Sequence, residues 1–405
     1  MTAPKWLSII GVGEAGLAEL TAAARLLLEQ AEVICGGQRH LAMLPPSDAR
    51  DKLFWSSPIA DSVQQIVQQR GRSTCVLASG DPLCYGIGAT LLRHVPIDEM
   101  TIIPAPSAFS LACARLGWSL PEVEQISLCG RDSAVLRAVL YPQARVLILS
   151  ADRQTPREVA KLLTQAGYGQ STITVLERLG SLHERHIRGT AASWSAVEGS
   201  DLNTIAVECV ADAGITGLSR LAGLPDTVYQ HDGQLTKREV RAITLAALAP
   251  LPGQVLWDVG AGCGSIGIEW MRSHPRCHAI AIEPQPQRLR YIADNAVALG
   301  TPNLQIIAGT APAALGTLPQ PNAIFVGGGL TTPSLLDTCW QALPLGGRLV
   351  ANAVTLESEQ VLLQWHHARG GTLTRIAIQR TEPIGGFLGW KPLAPVTQWV
   401  GIVQG

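Results

Sequence analysis

Charge of one sign is what this sequence most lacks. Its 31 Lys and Arg residues stand against 32 Asp and Glu, a net charge of −1, and charged residues fill only 16% of the 405 positions. A near-neutral chain has no global attraction for a phosphate backbone, so nucleic-acid binding is not expected. Aromatic residues are scarce at 5%, which leaves no basic, aromatic-studded strip on which bases could stack. The nine cysteines (35, 75, 84, 113, 129, 209, 263, 277 and 339) are odd in number, scattered and without a Cys-x-x-Cys pair. That indicates neither a disulfide framework nor a zinc ribbon, and it fits a reducing cytoplasm. No apolar run reaches the ~18 residues of a membrane span, and the opening Met-Thr-Ala-Pro-Lys-Trp-Leu has no basic start or long apolar core, so neither export nor membrane insertion is expected. What the chain has is 47% hydrophobic residues, 40 glycines and 26 prolines. Enough apolar area is present to offset the entropy of ordering the backbone, and Gly and Pro punctuate the short turns of a loop-rich α/β protein. Its length suggests two or three domains.

Short apolar runs alternate with amphipathic stretches throughout. In the first half, strands are expected at Trp6 to Ile10, Thr74 to Ala78, Thr101 to Ile103, Arg145 to Leu149, Ile173 to Leu176 and Thr204 to Val210, with helices at Leu17 to Leu28 and Thr155 to Ala166. The Gly/Pro/Asp-rich segment Ala211 to Gln234 marks a boundary, giving domains 1–210 and 211–405. The second half opens with a helix from Thr236 to Leu248, capped by Thr236 with Glu239 three residues on. Strands at Gln254 to Asp258, His278 to Glu283, Leu304 to Ala308, Ala323 to Val326 and Gly347 to Ala353 alternate with helices at Ser265 to Ser273, Gln287 to Ala298, Ser334 to Leu343 and Glu357 to Ala368. Two closing strands, Thr372 to Gln379 and Gln398 to Val403, should form an edge hairpin. This succession predicts a doubly wound parallel sheet.

The sharpest motif is Asp258-Val259-Gly260-Ala261-Gly262-Cys263-Gly264-Ser265, where a buried strand runs through three glycines into a helix. Glycines let a backbone turn tightly and approach a ligand where a Cβ would clash. The next strand ends in Glu283, placed to accept hydrogen bonds from two ribose hydroxyls. The G-x-G-x-G spacing, with Asp258 two residues ahead, differs from the G-x-G-x-x-G of dinucleotide sites and favours S-adenosylmethionine (SAM) over NAD. Near the N-terminus, Gly11-Val12-Gly13-Glu14-Ala15-Gly16 does match G-x-G-x-x-G. The following apolar run, however, ends in Gly36-Gly37 rather than an acid, so the ribose partner of an NAD site is missing.

The 258–264 segment and the closing hairpin resemble class I SAM-dependent methyltransferases. That resemblance implies that Gly260, Ala261, Gly262, Cys263 and Gly264 cradle the methionine part, that Glu283 takes the ribose, and that Gly309, Thr310 and Ala311 lie near the adenine. Three other segments, Gly11 to Gly16, Ala78-Ser79-Gly80-Asp81-Pro82 and Pro104-Ala105-Pro106-Ser107-Ala108, resemble the signature loops of class III tetrapyrrole methyltransferases, as do Ser127 to Arg131 and Glu177 to Gly180. There a two-lobed α/β fold would bind SAM in its cleft through Gly11, Gly13, Gly16, Gly80, Asp81, Pro82, Ser107 and Ala108. Cys129 replaces the histidine that this family often carries. Two such domains in one chain resemble the fused methyltransferases of corrin-ring biosynthesis. By that likeness the first domain would methylate C5 of a tetrapyrrole, and the second would methylate C15 and decarboxylate the ring C acetate, each with its own SAM. Both domain families commonly self-associate, so a homo-oligomer is expected.

Methyl transfer to an electron-rich carbon needs alignment and exclusion of water rather than a dedicated nucleophile, and no catalytic acid or base is assigned. Substrate carboxylates call for cations. Arg131 in the first domain and Lys237, Arg238 and Arg241 in the second are candidates, the alternative for the latter three being the charged face of a surface helix. Thr236 is a candidate SAM contact as well as a cap. Gly327 and Gly328, after the strand ending at Val326, would admit a bulky planar substrate. His274, Cys277 and His278 lack a fourth ligand nearby, and His366 and His367 point to different helix faces, so no metal site is expected. Other readings of the same residues are a cobalt-containing substrate, an RNA or protein acceptor, and a tetrapyrrole carrier without turnover.

Overall fold

The structure is a computed structural model that describes residues 5–195 and 199–404; the first four residues of the N-terminal stretch, from which no export signal is expected, lie outside the described residues. The chain divides into two compact units, one running to Ser133 and joined by Tyr141–Thr216, the other formed by Ala134–Leu140 and the chain from Gly217.

The first unit holds two five-stranded sheets. Strands β1 (Leu7–Val12), β2 (Val33–Gly36), β3 (Asp51–Phe54), β4 (Thr74–Ser79) and β5 (Met100–Ile103) pair in the order β3-β2-β4-β1-β5, parallel throughout. Ile9 packs into one apolar cluster and Ile10 into another, so the sheet is covered on both faces. The register pairs Val12 with Ser79, which delivers the loops after β1 and β4 to the same edge. Strands β6 (Glu124–Ser127), β7 (Arg145–Leu149), β8 (Thr172–Glu177), β9 (Arg185–Thr190) and β10 (Asn203–Glu208) form the second sheet, ordered β6-β7-β10-β8-β9 and mostly antiparallel.

Local departures from expectation have local causes. The stretch read as one helix from Leu17 is a 3₁₀ turn, Gly16–Glu19, followed by a helix Ala22–Glu29. The Thr21 hydroxyl accepts the Ala24 N–H at 3.2 Å and starts the helix there. Strands β3, β6 and β9 escaped the pattern because each is a sheet edge, rich in polar residues and little buried.

The second unit is built on β11 (Val255–Val259), β12 (His278–Glu283), β13 (Gln305–Ala308), β14 (Ala323–Val326), β15 (Arg348–Ala353), β16 (Thr372–Ile376), β17 (Gln379–Ile384), β18 (Phe387–Pro392) and β19 (Val396–Ile402). Its seven-stranded sheet runs β13-β12-β11-β14-β15-β19-β16, with β17 and β18 pairing separately. The order reverses between β11 and β14, and a crevice outside the carboxyl ends of strands at such a point is where ligands bind. The closing strands β16 and β19 do pair antiparallel, but β19 lies inside the sheet against β15. Between them β17 and β18 make a second hairpin around Gly385, in a stretch to which the sequence pattern assigned no element. Its Ile384, Phe387, Leu388 and Trp390 are exposed and show no buried face to read. The helix before β11 begins at Arg238, with Lys237 at its cap position and no side-chain capping bond. Thr236 is therefore not its N-cap: its carbonyl accepts from Arg241, and the residue lines a cavity instead.

Candidate active sites

In the second unit a cavity of about 630 Å³ opens at the carboxyl ends of β11, β12 and β14. Gly260 leaves β11 with φ of +72° and crosses the chain leaving β14: a Cβ there would sit 2.9 Å from the Gly328 nitrogen. Only glycine permits that crossing. The Gly260 and Ala261 N–H groups donate to the Ile282 carbonyl at 3.0 and 3.2 Å, tying the loop to β12. Glu283, 2% exposed, completes the tie. Its carboxylate accepts from Gly262 N–H at 2.9 Å and Gln285 N–H at 3.1 Å, and its carbonyl accepts from Gly309 N–H at 3.2 Å. One residue thus spaces the 260–264 loop from the 309–311 loop.

Asp258 works beneath the loop. Its Oδ2 accepts from Gly267 N–H at 2.9 Å, while Oδ1 is buried without a partner. Burial pushes its carboxyl up to about 7, against the pull of the Gly267 hydrogen bond. Burial likewise pushes the Cys263 thiol up to about 11, so at neutral pH it is a protonated wall residue and no nucleophile.

Of the residues singled out from the sequence, Thr236, Lys237, Gly260, Ala261, Gly262, Cys263, Glu283, Gly309, Thr310, Ala311, Gly327 and Gly328 line this cavity. Gly264 does not; it turns the chain into the helix and packs on Ile292. Arg238 is exposed and lines no part of it. Arg241 has to be reassigned. It is completely buried, donates to Glu269 at 2.5 Å and Thr236 O at 2.5 Å, and pairs with Asp226 at 3.3 Å. Glu269 in turn accepts from Tyr229 at 2.9 Å, Gly223 N–H at 2.6 Å and Leu224 N–H at 3.1 Å. The guanidinium, out of a substrate's reach, pins the chain ahead of the helix and holds Thr236 in the cavity wall. Periodicity had no means of distinguishing such a residue from its exposed neighbours. Gln234, Arg288 and Asn352 also line the cavity and were not anticipated. Arg288 pairs with Asp232 at 2.8 Å, and Asn352 is fixed by Thr244 at 2.9 Å and Gln398 at 3.0 Å.

The first unit has a cavity of about 380 Å³ bordered by residues from both of its sheets. The three loops expected to act together do meet there, backbone to backbone. Gly80 N–H donates to Val12 O at 3.0 Å and Ala105 N–H to Gly80 O at 3.2 Å. A Cβ on Gly11 would come within 2.0 Å of Gly80 O. Gly13, Gly80, Asp81, Ser107 and Ala108 line the cavity, whereas Gly11, Gly16 and Pro82 shape the loops behind it. Asp81 accepts Leu83 N–H at 2.8 Å, and Ser107 caps the helix Ala108–Leu116. Arg131 is exposed and stacks on the Tyr85 ring at 5.0 Å, outside the lining, while Tyr85 itself contributes to it. Arg39, His40 and Arg178 line the cavity unforeseen. The signal lay after β2, where Gly36-Gly37 was noted only for lacking an acid, and in the Glu177–Gly180 segment, to which no role was given.

Among the described residues no group of three or more His, Cys, Asp or Glu could hold a metal ion, and no helix is long and apolar enough to cross a membrane.

Residues 7–194 match the family described as Tetrapyrrole (Corrin/Porphyrin) Methylases, and residues 227–403 match the Precorrin methyltransferase domain. A relative from Sinorhizobium sp, a precorrin-6Y C(5,15)-methyltransferase (decarboxylating), is 49% identical over 97% of this chain and 95% of its own length. The chain belongs to this precorrin-6Y methyltransferase family. Two shorter relatives come from Salmonella typhimurium. A cobalt-precorrin-7 C(5)-methyltransferase is 34% identical over 44% of this chain and 88% of its own. A cobalt-precorrin-6B C(15)-methyltransferase (decarboxylating) is 32% identical over 40% of this chain and 85% of its own. Within such a methyltransferase, the glycine crossing at 260 and 328 and the buried Glu283 fit a SAM site: the backbones cross where no Cβ intrudes, and a carboxylate acceptor lines the cavity beside them.

Proposed function

We propose that the chain methylates precorrin-6Y at C5 and C15 and decarboxylates the ring C acetate during assembly of the corrin ring of cobalamin. The first unit would carry the C5 methylation, the second the C15 methylation and decarboxylation, each with its own SAM. The observation that carries this reading is that each unit has its own glycine-walled cavity at the carboxyl ends of parallel strands. The division agrees with the names of the two shorter relatives, each of which is named for one of the two positions. Cobalt-free substrate is favoured because the full-length relative is named for precorrin and the shorter ones for cobalt-precorrin.

Bound SAM supplies an electrophilic methyl on its sulfonium. The chain's residues position and enclose. In the second unit Gly260 to Cys263 floor the SAM site, Glu283 offers a carboxylate to the ribose, and Thr310 and Ala311 flank the adenine. Lys237 and Arg288 present cations to substrate carboxylates, while Ile378, Leu393 and Val396 exclude water. In the first unit Gly13, Gly80, Asp81, Ser107 and Ala108 form the corresponding wall. The attacking carbon belongs to the substrate, and its conjugated macrocycle takes up the electron pair left by carbon dioxide. The protein's share is geometry and the substrate's protonation state. A homo-oligomer in the cytoplasm is part of the same reading. The exposed Phe387, Leu388 and Trp390 of the β17–β18 hairpin supply apolar surface of the kind that self-association buries.

The test is the mass of the product after incubating the full chain with SAM and the cobalt-free tetrapyrrole. A gain of two methyls with loss of one carbon dioxide is expected. No change in mass, from a folded preparation that binds SAM, would overturn the assignment.

A further inference from the structure

We propose that Arg39 and Arg178 together seat one side-chain carboxylate of the tetrapyrrole in the first unit's cavity, and that Glu14 competes with that carboxylate for Arg39. The inference rests on the reading above, in which this unit takes a polycarboxylate macrocycle.

Arg39 arrives from the short helix after β2, and Arg178 from the turn after β8; both line the cavity beside the glycine loops. Arg39 is fixed from two sides. It donates to Ser79 Oγ at 2.9 Å, and its other terminal nitrogen pairs with Glu14, the loop residue between Gly13 and Ala15. Arg178 donates through Nε to Ser200 Oγ at 3.3 Å and has no ion pair among the described residues. Its own φ is +47°, a conformation that residues with a Cβ rarely adopt and that folds keep mainly at functional positions. The backbone is clamped there, Arg178 N–H to Leu202 O at 3.1 Å and Ser181 N–H to Arg178 O at 3.0 Å. Burial, and then the charge of Arg178, lower the pKa of Arg39. His40, buried behind them with Nε2 3.3 Å from both Arg39 and Ser79 Oγ, is pushed down to about 4 by burial and by Arg39. It is neutral at physiological pH and neither adds charge nor competes for an anion. Asp81, the other acid in the lining, turns its Oδ1 back to Leu83 N–H. Two forked cations served by one acid form a site for a further carboxylate.

The test is steady-state C5 methylation by the full chain, with C15 methylation and carbon dioxide release followed in the same samples as the measure of an intact fold. R178Q and R39Q should each raise the KM for the tetrapyrrole about ten- to a hundredfold, with kcat and SAM affinity near wild type. E14Q should lower that KM, the opposite of what loss of a merely structural ion pair would do. Substrates with one carboxylate at a time converted to the amide sharpen the assignment: one amide should match the loss of R178Q in wild type and add nothing in R178Q. If R178Q folds poorly, R39Q with the same amides decides. A wild-type KM in R178Q and R39Q, or the absence of any amide that couples to them, overturns the seat. A wild-type chain that binds SAM but never methylates C5 overturns the underlying reading instead.

Discussion

The carboxylate of Glu283 accepts the N–H of Gly262 at 2.9 Å, so the second unit's glycine loop is held by the same side chain that is proposed to take the ribose. Replacing the acid therefore acts twice, on the loop and on the ligand. E283A should weaken SAM binding at the second site about ten- to a hundredfold. E283Q, which can still accept from Gly262, should lose less. Calorimetric titration resolves the two sites, and in turnover C15 methylation and carbon dioxide loss should fall. A loss confined to C5 would contradict the assignment.

Gly11 and Gly13 stand two residues apart and should respond in different ways. A Cβ on Gly11 meets Gly80 O at 2.0 Å, whereas at Gly13 the nearest atom is the Glu19 carboxylate at 3.7 Å. G11A should destabilise the first unit by about 1–3 kcal/mol or more, since rigid backbone must move. G13L should fold normally and fill the cavity it lines, abolishing C5 methylation and sparing C15. Thermal melts paired with product masses separate the two effects.

The buried Arg241–Glu269 pair predicts a stability hierarchy. R241A should lower the stability of the second unit by about 3–5 kcal/mol by leaving Glu269 charged and less well partnered in the core. E269A should cost more, because it strands the Arg241 guanidinium, Tyr229 and the Gly223 and Leu224 N–H groups together. Urea denaturation of the full chain, following the transition of the second unit, checks the order of the two variants.

Asp258 gives this unit a pH dependence. Its carboxyl is raised from 3.8 to about 7 in the folded chain, so the folded state retains a proton that the unfolded state releases. Stability should fall as pH rises between these values, with the full penalty present above about 7 and none below about 4. D258N can keep the Gly267 hydrogen bond without carrying a charge. It should flatten the profile, and its advantage over wild type should grow from pH 4 to pH 7.5 in urea unfolding. A D258N curve parallel to wild type would exclude Asp258 as the source.

Much of this protein could be read in one dimension. Helix Ser265–Ser273 and strands His278–Glu283 and Ala323–Val326 have the limits that the apolar pattern predicted, because buried parallel strands are continuous apolar runs bounded by glycine or charge. The glycine loops could be read for a related reason: a residue without a side chain is required wherever two backbones cross, and that requirement survives in the sequence. The edge strands β3, β6 and β9 could not, since an edge exposes polar residues that carry no period. The tertiary structure alone decided the roles of the charged residues. Lys237, Arg238 and Arg241 look alike along the chain, yet Lys237 lines a cavity, Arg238 faces solvent and Arg241 is a buried strut. Arg39 and Arg178, 139 positions apart in sequence, share a cavity only because two sheets bring them to it. Local pattern encodes which backbone must bury and where it must turn, whereas the partner of a long charged side chain is set by the elements packed around it, and no spacing in the sequence records that.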